Sequence, residues 1–402
     1  MAKWWAPQHG GKRLCRQAIV GIGAAAILLQ GSAPVAAGGA AAIAGGVGVA
    51  MLGACWGSAR AQRHDATQRG GASNKNAKDR GSSTFTLQGE NDFFNGNDGS
   101  YTNGVAAACA VSAEPGTMFG QGVDTFGLRK WFFKPDVTTV SVRIGQLMFT
   151  PEKLDLNPPD DKDRPYAGYL YAGFGLDQKF NEPLNFVDRL FSSWELQVGV
   201  VGPHSYAREV QDDFHALIDS DRGQGWDHQL KDEPALNLFY SGVATLKVAD
   251  ALGLGALKTD YFDIRPHWGA ALGNVLTYGS LGVTARLGLL PDNPGPSILH
   301  TKGILPRSTA DEALPVNVYL FGGRRLRVVG HNIFLDGNTF RDSASVDKEI
   351  VVHDWQAGFA FQIYNFHFSY THVWRSNEFK RENDDPGERG FGALTLSWIW
   401  EW

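Results

Sequence analysis

From residue 83 to the C-terminus the chain is written almost wholly in period two. In "WELQVGVVG", Trp194, Leu196, Val198 and Val200 share one face, while Glu195, Gln197 and Gly199 share the other. "TTVSVRIGQLMFT" sets Val140, Val142 and Ile144 against Ser141, Arg143 and Gly145, and "GALTLSWIWEW" aligns Leu394, Leu396, Trp398, Trp400 and Trp402. Successive side chains of an extended strand point to opposite faces, so each run reads as a strand with one apolar face. About twelve are expected, near 84–90, 101–112, 138–149, 167–180, 193–201, 237–249, 261–273, 281–290, 316–329, 349–363, 366–376 and 389–402. No stretch in this region approaches the roughly 18 apolar residues of a membrane helix.

Many of these runs exceed the five or six residues usual for strands of soluble sheets. A soluble β-sandwich or a lipocalin-like periplasmic barrel would turn the apolar face into a core. Long strands, an even count and a terminal aromatic row instead match an all-β fold: an antiparallel transmembrane β-barrel of the bacterial outer membrane, closed so that no strand edge meets lipid. One segment breaks the alternation. "SYAREVQDDFHALIDS" places Tyr206, Val210, Phe214, Leu217 and Ile218 at helical spacing without Gly or Pro, predicting a short helix near 205–219 in an extracellular loop.

Residues 1–61 hold Lys3, Lys12, Arg13, Arg16 and Arg60 and no acidic side chain. Basic residues ahead of apolar runs, closing on "SARAQ", predict a secretory signal with a long front. A retained membrane anchor and lipid attachment at Cys55 in "LGAC" are the alternatives. Residues 62–82 are polar enough to read as a flexible linker ahead of an 83–402 barrel. Without the leader, 32 basic residues (37 less 5) face 42 acidic ones, a balance of −10 that argues against a nucleic-acid partner. Cys15 and Cys55 would leave with the leader, making Cys109 a lone thiol with no internal disulfide expected.

If the N-terminus of the barrel starts in the periplasm, the connections 91–100, 150–166, 202–236, 274–280, 330–348 and 377–388 all face outward. The least ordinary polar stretches collect there: "ENDFFNGNDGSYTNG" at 90–104, "PEKLDLNPPDDKDRPYAG" at 151–168 and the helix carrying His215. A helix lying against the wall at this rim would make a cleft at lipid-headgroup level. His215 is the best general-base candidate, the alternative being an exposed residue of a loop helix. Asn91 and Asp92 offer oxygen ligands to a hard cation such as calcium, and Thr102 a hydroxyl, unless the stretch only turns the chain. For both to serve one ion the backbone must leave the pleat near Gly89 to Asp92, because strand parity sends Asn91 the way of Leu87. No nucleophile elbow, P-loop, H-E-x-x-H or C-x-x-C pair occurs in 83–402.

"END" at 90–92, "YTNG" at 101–104, "DRPYAG" at 163–168, "GP…REVQDDFH" at 202–215, "GWDHQL" at 225–230 and "RSNEF" at 375–379 together resemble the outer-membrane lipid A 3′-O-deacylase family. That resemblance implies a twelve-stranded barrel enzyme that hydrolyses the ester of the 3′-linked acyloxyacyl chain of lipid A. It implies that Asn91, Asp92 and Thr102 lie in the active site and that His215 activates water. Calcium would help form the oxyanion hole, much as in phospholipase A2, with Asp221 as a further acidic site residue. Lys153 and Arg164 are placed to meet lipid A phosphates, guanidinium groups suiting phosphate oxygens. The expected partners are lipopolysaccharide and the outer membrane, with the protein a monomer. A phospholipase-like outer-membrane esterase and a non-enzymatic small porin or surface barrel are the competing readings.

Overall fold

The computed structural model describes residues 82–92, 101, 103–113, 135–218, 222–247, 261–293, 295, 316–380 and 389–401. Twelve antiparallel strands close into one barrel. They are β1 (Ser82–Asn91), β2 (Asn103–Ser112), β3 (Val137–Phe149), β4 (Ala167–Leu184), β5 (Val187–Val201) and β6 (Glu233–Leu246). β7 (Phe262–Gly273), β8 (Leu276–Leu289), β9 (Val316–Asn332), β10 (Val351–Ile363), β11 (Phe366–Arg375) and β12 (Arg389–Glu401) complete the circuit. Each strand hydrogen-bonds its sequence neighbours, and β12 closes onto β1 from Ser82↔Glu401 to Asn91↔Gly392. Between β5 and β6 stands α1 (Ala207–Ile218), and after β9 a single turn, α2 (Ile333–Asp336).

The burial pattern is inside out relative to a soluble sandwich. On β5, Leu196 and Val198 are exposed while Glu195 and Gln197 are buried; on β9, Val318, Leu320 and Val328 are exposed while Tyr319, Arg325 and Arg327 are buried. The apolar face therefore meets lipid, and the lumen holds the charges. There they pair: Arg143 with Glu195 at 3.2 Å and Arg286 with Asp263 at 2.6 Å. Pairing is what makes such burial tolerable, since an unpaired buried charge costs several kcal/mol.

Connections 113–136 and 290–315 are long, yet β2 pairs directly with β3 and β8 with β9, so neither intervening segment adds a strand to the wall. Parity holds. Both ends of the barrel chain lie at one rim, with the turns after β4 and β10, and α1 lies at the other, outer rim with loops 150–166, 202–232 and 333–350.

Two expectations are corrected. β5 and β8 begin at Val187 and Leu276, six and five residues earlier than the alternation indicates, where polar or glycine-bearing sequence blurs the period. Cys109 is disulfide-bonded rather than a lone thiol. The expectation presumed loss of residues 1–61, and the chain's other cysteines, Cys15 and Cys55, lie outside the described residues, as do the proposed leader and all but Ser82 of the linker.

Candidate active site

The outer rim is built from a row of paired residues. Asn91 on β1 lies opposite Asn103 on β2, Asn103 opposite Met148 on β3, and Met148 opposite Gly168 on β4. Directly paired residues share a face, and three inter-strand steps span about 14 Å. That face points outward, because the alternate positions Glu90, Leu147 and Tyr169 are buried towards the lumen. Strand β1 ends at Asn91, so Asp92 has left the pleat as two adjacent ligands would require, and its side chain is buried.

Helix α1 lies on this outer wall. An added Cβ at Gly168 would sit 2.4 Å from the Ala207 Cβ and 2.0 Å from the Ser205 hydroxyl, so only glycine lets the helix start this close to the sheet. Gln146 Nε2 on β3 donates to the Ser205 carbonyl at 2.6 Å, securing the same turn. Ala207, Met148, Tyr166 and Trp226 form one buried cluster, with Leu154 and Val210 against it. The chain enters the turn through Gly202 at φ 108, a left-handed region disfavoured for other residues.

The buried stripe of α1 is Ala207, Gln211 and His215, at i, i+4 and i+8, with His215 only 5 % exposed. The helical period is as expected but its phase differs: Tyr206 is exposed and Val210 and Phe214 are half-buried. The reason is a polar anchor. The Trp226 indole N–H donates to Gln211 Oε1 at 2.6 Å, and Trp226 packs on Tyr166 with centroids 4.9 Å apart. That bond holds the turn preceding His215 against the wall-side cluster.

"END" divides between the two sides of the wall. Glu90 points into the lumen, where its carboxylate accepts from Tyr101 at 2.7 Å and from Gln88 at 3.1 Å. Burial, reinforced by Glu90, pushes the Tyr101 phenol well above its ordinary pKa. This bond ties "END" to "YTNG" across the hairpin and leaves Asn91 and Asn103 facing outward. The Asn103 Oδ1 is buried without a hydrogen-bond partner.

Asn91, Asp92 and His215 thus belong to one outer-rim region spanning β1 to β4, and Asn103 joins them. Thr102 and Asp221 lie outside the described residues. Lys153 is exposed on loop 150–166. Arg164 is not in the cleft. It is buried on the lumen side, donating to Glu378 at 2.9 Å and lying over Phe149 and Phe379. Burial lowers its pKa, with Glu378 opposing.

A charged network not evident in the sequence occupies the outer lumen. Asp354 takes Arg375 at 2.7 Å, Arg327 at 3.4 Å and also Arg325; Glu378 takes Arg375 at 3.2 Å and Arg327 at 3.5 Å besides Arg164. Burial would raise the Glu378 carboxyl, but Arg375, Arg164 and Arg327 outweigh it and hold it at about 2. The alternation of "RRLRVV" marks Arg325 and Arg327 as lumen-facing; their partners, on other strands and a distant loop, carry no local signal.

An oxygen-only donor set of Asn91, Asp92 and Asn103 fits a hard cation, which takes carboxylate, carboxamide and backbone oxygens. Among the described residues no three His, Cys, Asp or Glu side chains cluster as a metal site.

A family profile described as "Outer membrane protein LpxR" matches residues 50–400. LpxR from Salmonella typhimurium shares the fold at a TM-score of 0.57 and 17 % identity, over 78 % of this chain and 99 % of that one. The translocator domain of autotransporter NalP from Neisseria meningitidis aligns at a TM-score of only 0.36 and 8 % identity, over 87 % of this chain and 96 % of that one. No curated protein matches the sequence. By the profile match across nearly the whole barrel, with the shared twelve-strand fold beside it, the chain belongs to the LpxR family of outer-membrane lipid A 3′-O-deacylases.

Proposed function

We propose that this chain hydrolyses the ester of the 3′-linked acyloxyacyl chain of lipid A, with His215 activating water and calcium as cofactor. The observation that carries the reading is the burial of His215 on the wall side of α1, outside the barrel and at the rim. An imidazole held at this place is one that a lipid sliding laterally along the wall would meet with its ester. The buried cluster of Phe149, Tyr169, Phe334 and Phe391 in the outer lumen fits the same reading, since a porin needs an open channel.

His215 takes the proton of a water, whose oxygen attacks the ester carbonyl, and the imidazolium so formed then protonates the departing sugar alkoxide. The Thr102 hydroxyl orients that water. Asn91, Asp92 and Asn103, with Asp221, would hold the calcium, which supplies positive charge to the developing oxyanion when bound. Lys153, exposed on loop 150–166, would meet a lipid A phosphate, while Arg164 remains committed to Glu378.

Mass spectrometry of lipid A from cells with and without the protein tests this, with and without chelator. Loss of the 3′-linked chain is expected, abolished by chelation and reduced about 100- to 1,000-fold by His215→Ala or Asp92→Ala. Intact lipid A with released phospholipid acyl chains would overturn the substrate, and wild-type turnover by either variant would overturn the site.

A further inference from the structure

The lumen arginines Arg143, Arg265, Arg286, Arg325, Arg327 and Arg375 each face a carboxylate. Arg324 does not. It occupies the outward parity of β9, opposite Val283 on β8 and Trp355 on β10, among the exposed Leu281, Leu326 and Val328. Among the described residues no carboxylate pairs with it. Its guanidinium lies 4.8 Å from the Trp355 ring centroid, and Nη2 is 3.1 Å from His353 Nδ1, on the residue two positions nearer the outer rim.

The register gives its depth. Val328 pairs with Val351, the first residue of β10, and Arg324 pairs with Trp355, four positions further in. At about 3.3 Å per residue and a tilt near 40°, that is about 10 Å below the outer end of β10. The inner end, Ile363↔Val316, lies eight positions further, roughly 20 Å away. Arg324 therefore sits in the outer third of the lipid-facing band, with its side chain reaching rimward as long cationic side chains do. A cation on this face needs an anion, and since no carboxylate among the described residues meets Arg324, the lipid is the source that remains beside it.

We infer that Arg324, Trp355 and His353 form a binding site for the phosphate of a lipid headgroup in the outer leaflet, on the wall away from the candidate active site. Arg324 lies over Trp355 and presents its remaining N–H donors to the phosphate oxygens, the fork geometry that suits them. His353 accepts from Arg324 and fixes the guanidinium plane. Barrel order places β9 six strands from β3, so this lipid is bound opposite the substrate cleft and is not consumed there. The inference rests on the membrane orientation and not on the proposed catalysis.

Native mass spectrometry of the full-length barrel in detergent micelles tests it, with dioleoyl phosphatidic acid as probe and dioleoyl phosphatidylcholine as the zwitterionic comparison. Arg324→Leu and Arg324→Gln are expected to bind phosphatidic acid about tenfold more weakly at the tightest site. Arg324→Lys, which keeps the charge without the fork, falls between, and Leu281→Ala on the same face binds as the wild type. Heat-modifiable mobility identifies folded barrel, and the shorter, polar Gln variant carries the test if Leu fails to fold. Equal binding by wild type and Arg324→Gln, or phosphatidylcholine binding as tight as phosphatidic acid, would overturn the site.

Discussion

Gly168→Ala is the sharpest probe of how α1 makes the cleft. The added methyl would lie 2.0 Å from the Ser205 Oγ and 2.4 Å from the Ala207 Cβ. The hydroxyl can rotate away, but Ala207 is the first residue of a helix and cannot move alone. Ordinary carbon contact is about 3.6 Å, so the helix start must retreat by about 1.2 Å. Overpacking of this kind costs about 1–3 kcal/mol, and displacement of a catalytic group by about 1 Å costs about 100-fold in rate. His215 rides on the same helix eight residues on, about 12 Å along its axis. We therefore expect deacylation of purified substrate to fall about 100-fold, with heat-modifiability of the barrel unchanged because Gly168 is the second residue of β4. Ser205→Ala on this background should restore part of the loss. Turnover within twofold of wild type by Gly168→Ala would refute the claim that close docking of α1 on the wall positions the base.

Other changes follow from the same structure. Trp226→Phe removes the donor to Gln211, whose Nε2 already has no partner, and should weaken helix docking by about 1–3 kcal/mol and lower kcat without moving the urea midpoint of the barrel. An unchanged kcat would separate Gln211 anchoring from catalysis. Glu378 titrates at about 2 instead of 4.5 in the folded barrel, so its stabilisation is whole above about pH 4.5 and is lost as pH falls towards 2. That interval corresponds to about 3 kcal/mol, and the stability gap between wild type and Glu378→Gln should close on acidification; parallel urea midpoints from pH 7 to 3 would contradict it. Asn103→Ala should raise the calcium concentration needed for half-maximal activity, and an unchanged requirement would remove Asn103 from the ligand set.

Period two made the wall legible because one face of each strand must satisfy lipid. Val142, Leu196 and Val318 stand where alternation puts them, and Arg143, Glu195 and Arg327 face inward. The signal fades where neither face is apolar, hence the late start read for β8 at "LTYGS". The helix shows a different limit. Amphipathic reading turns Val210 and Phe214 inward, but α1 docks through Gln211 and His215 because Trp226, eleven residues beyond His215, offers an indole N–H there. Such a partner has no local imprint. Arg164 illustrates the same point: its sequence setting suits a phosphate, while its carboxylate, Glu378, lies 214 residues away. Asn91, by contrast, lies on the outward alternation that parity gives it, whereas Asn103, which the sequence does not single out, emerges only from its pairing with Asn91.

The most direct test is product analysis with purified, heat-modifiable protein, defined lipid A and calcium, comparing wild type with His215→Ala. The wild type should release the 3′-linked acyloxyacyl chain and leave the remaining ester positions intact, while the folded variant leaves lipid A unchanged. Release of that chain by His215→Ala at the wild-type rate would place the chemistry elsewhere on the barrel.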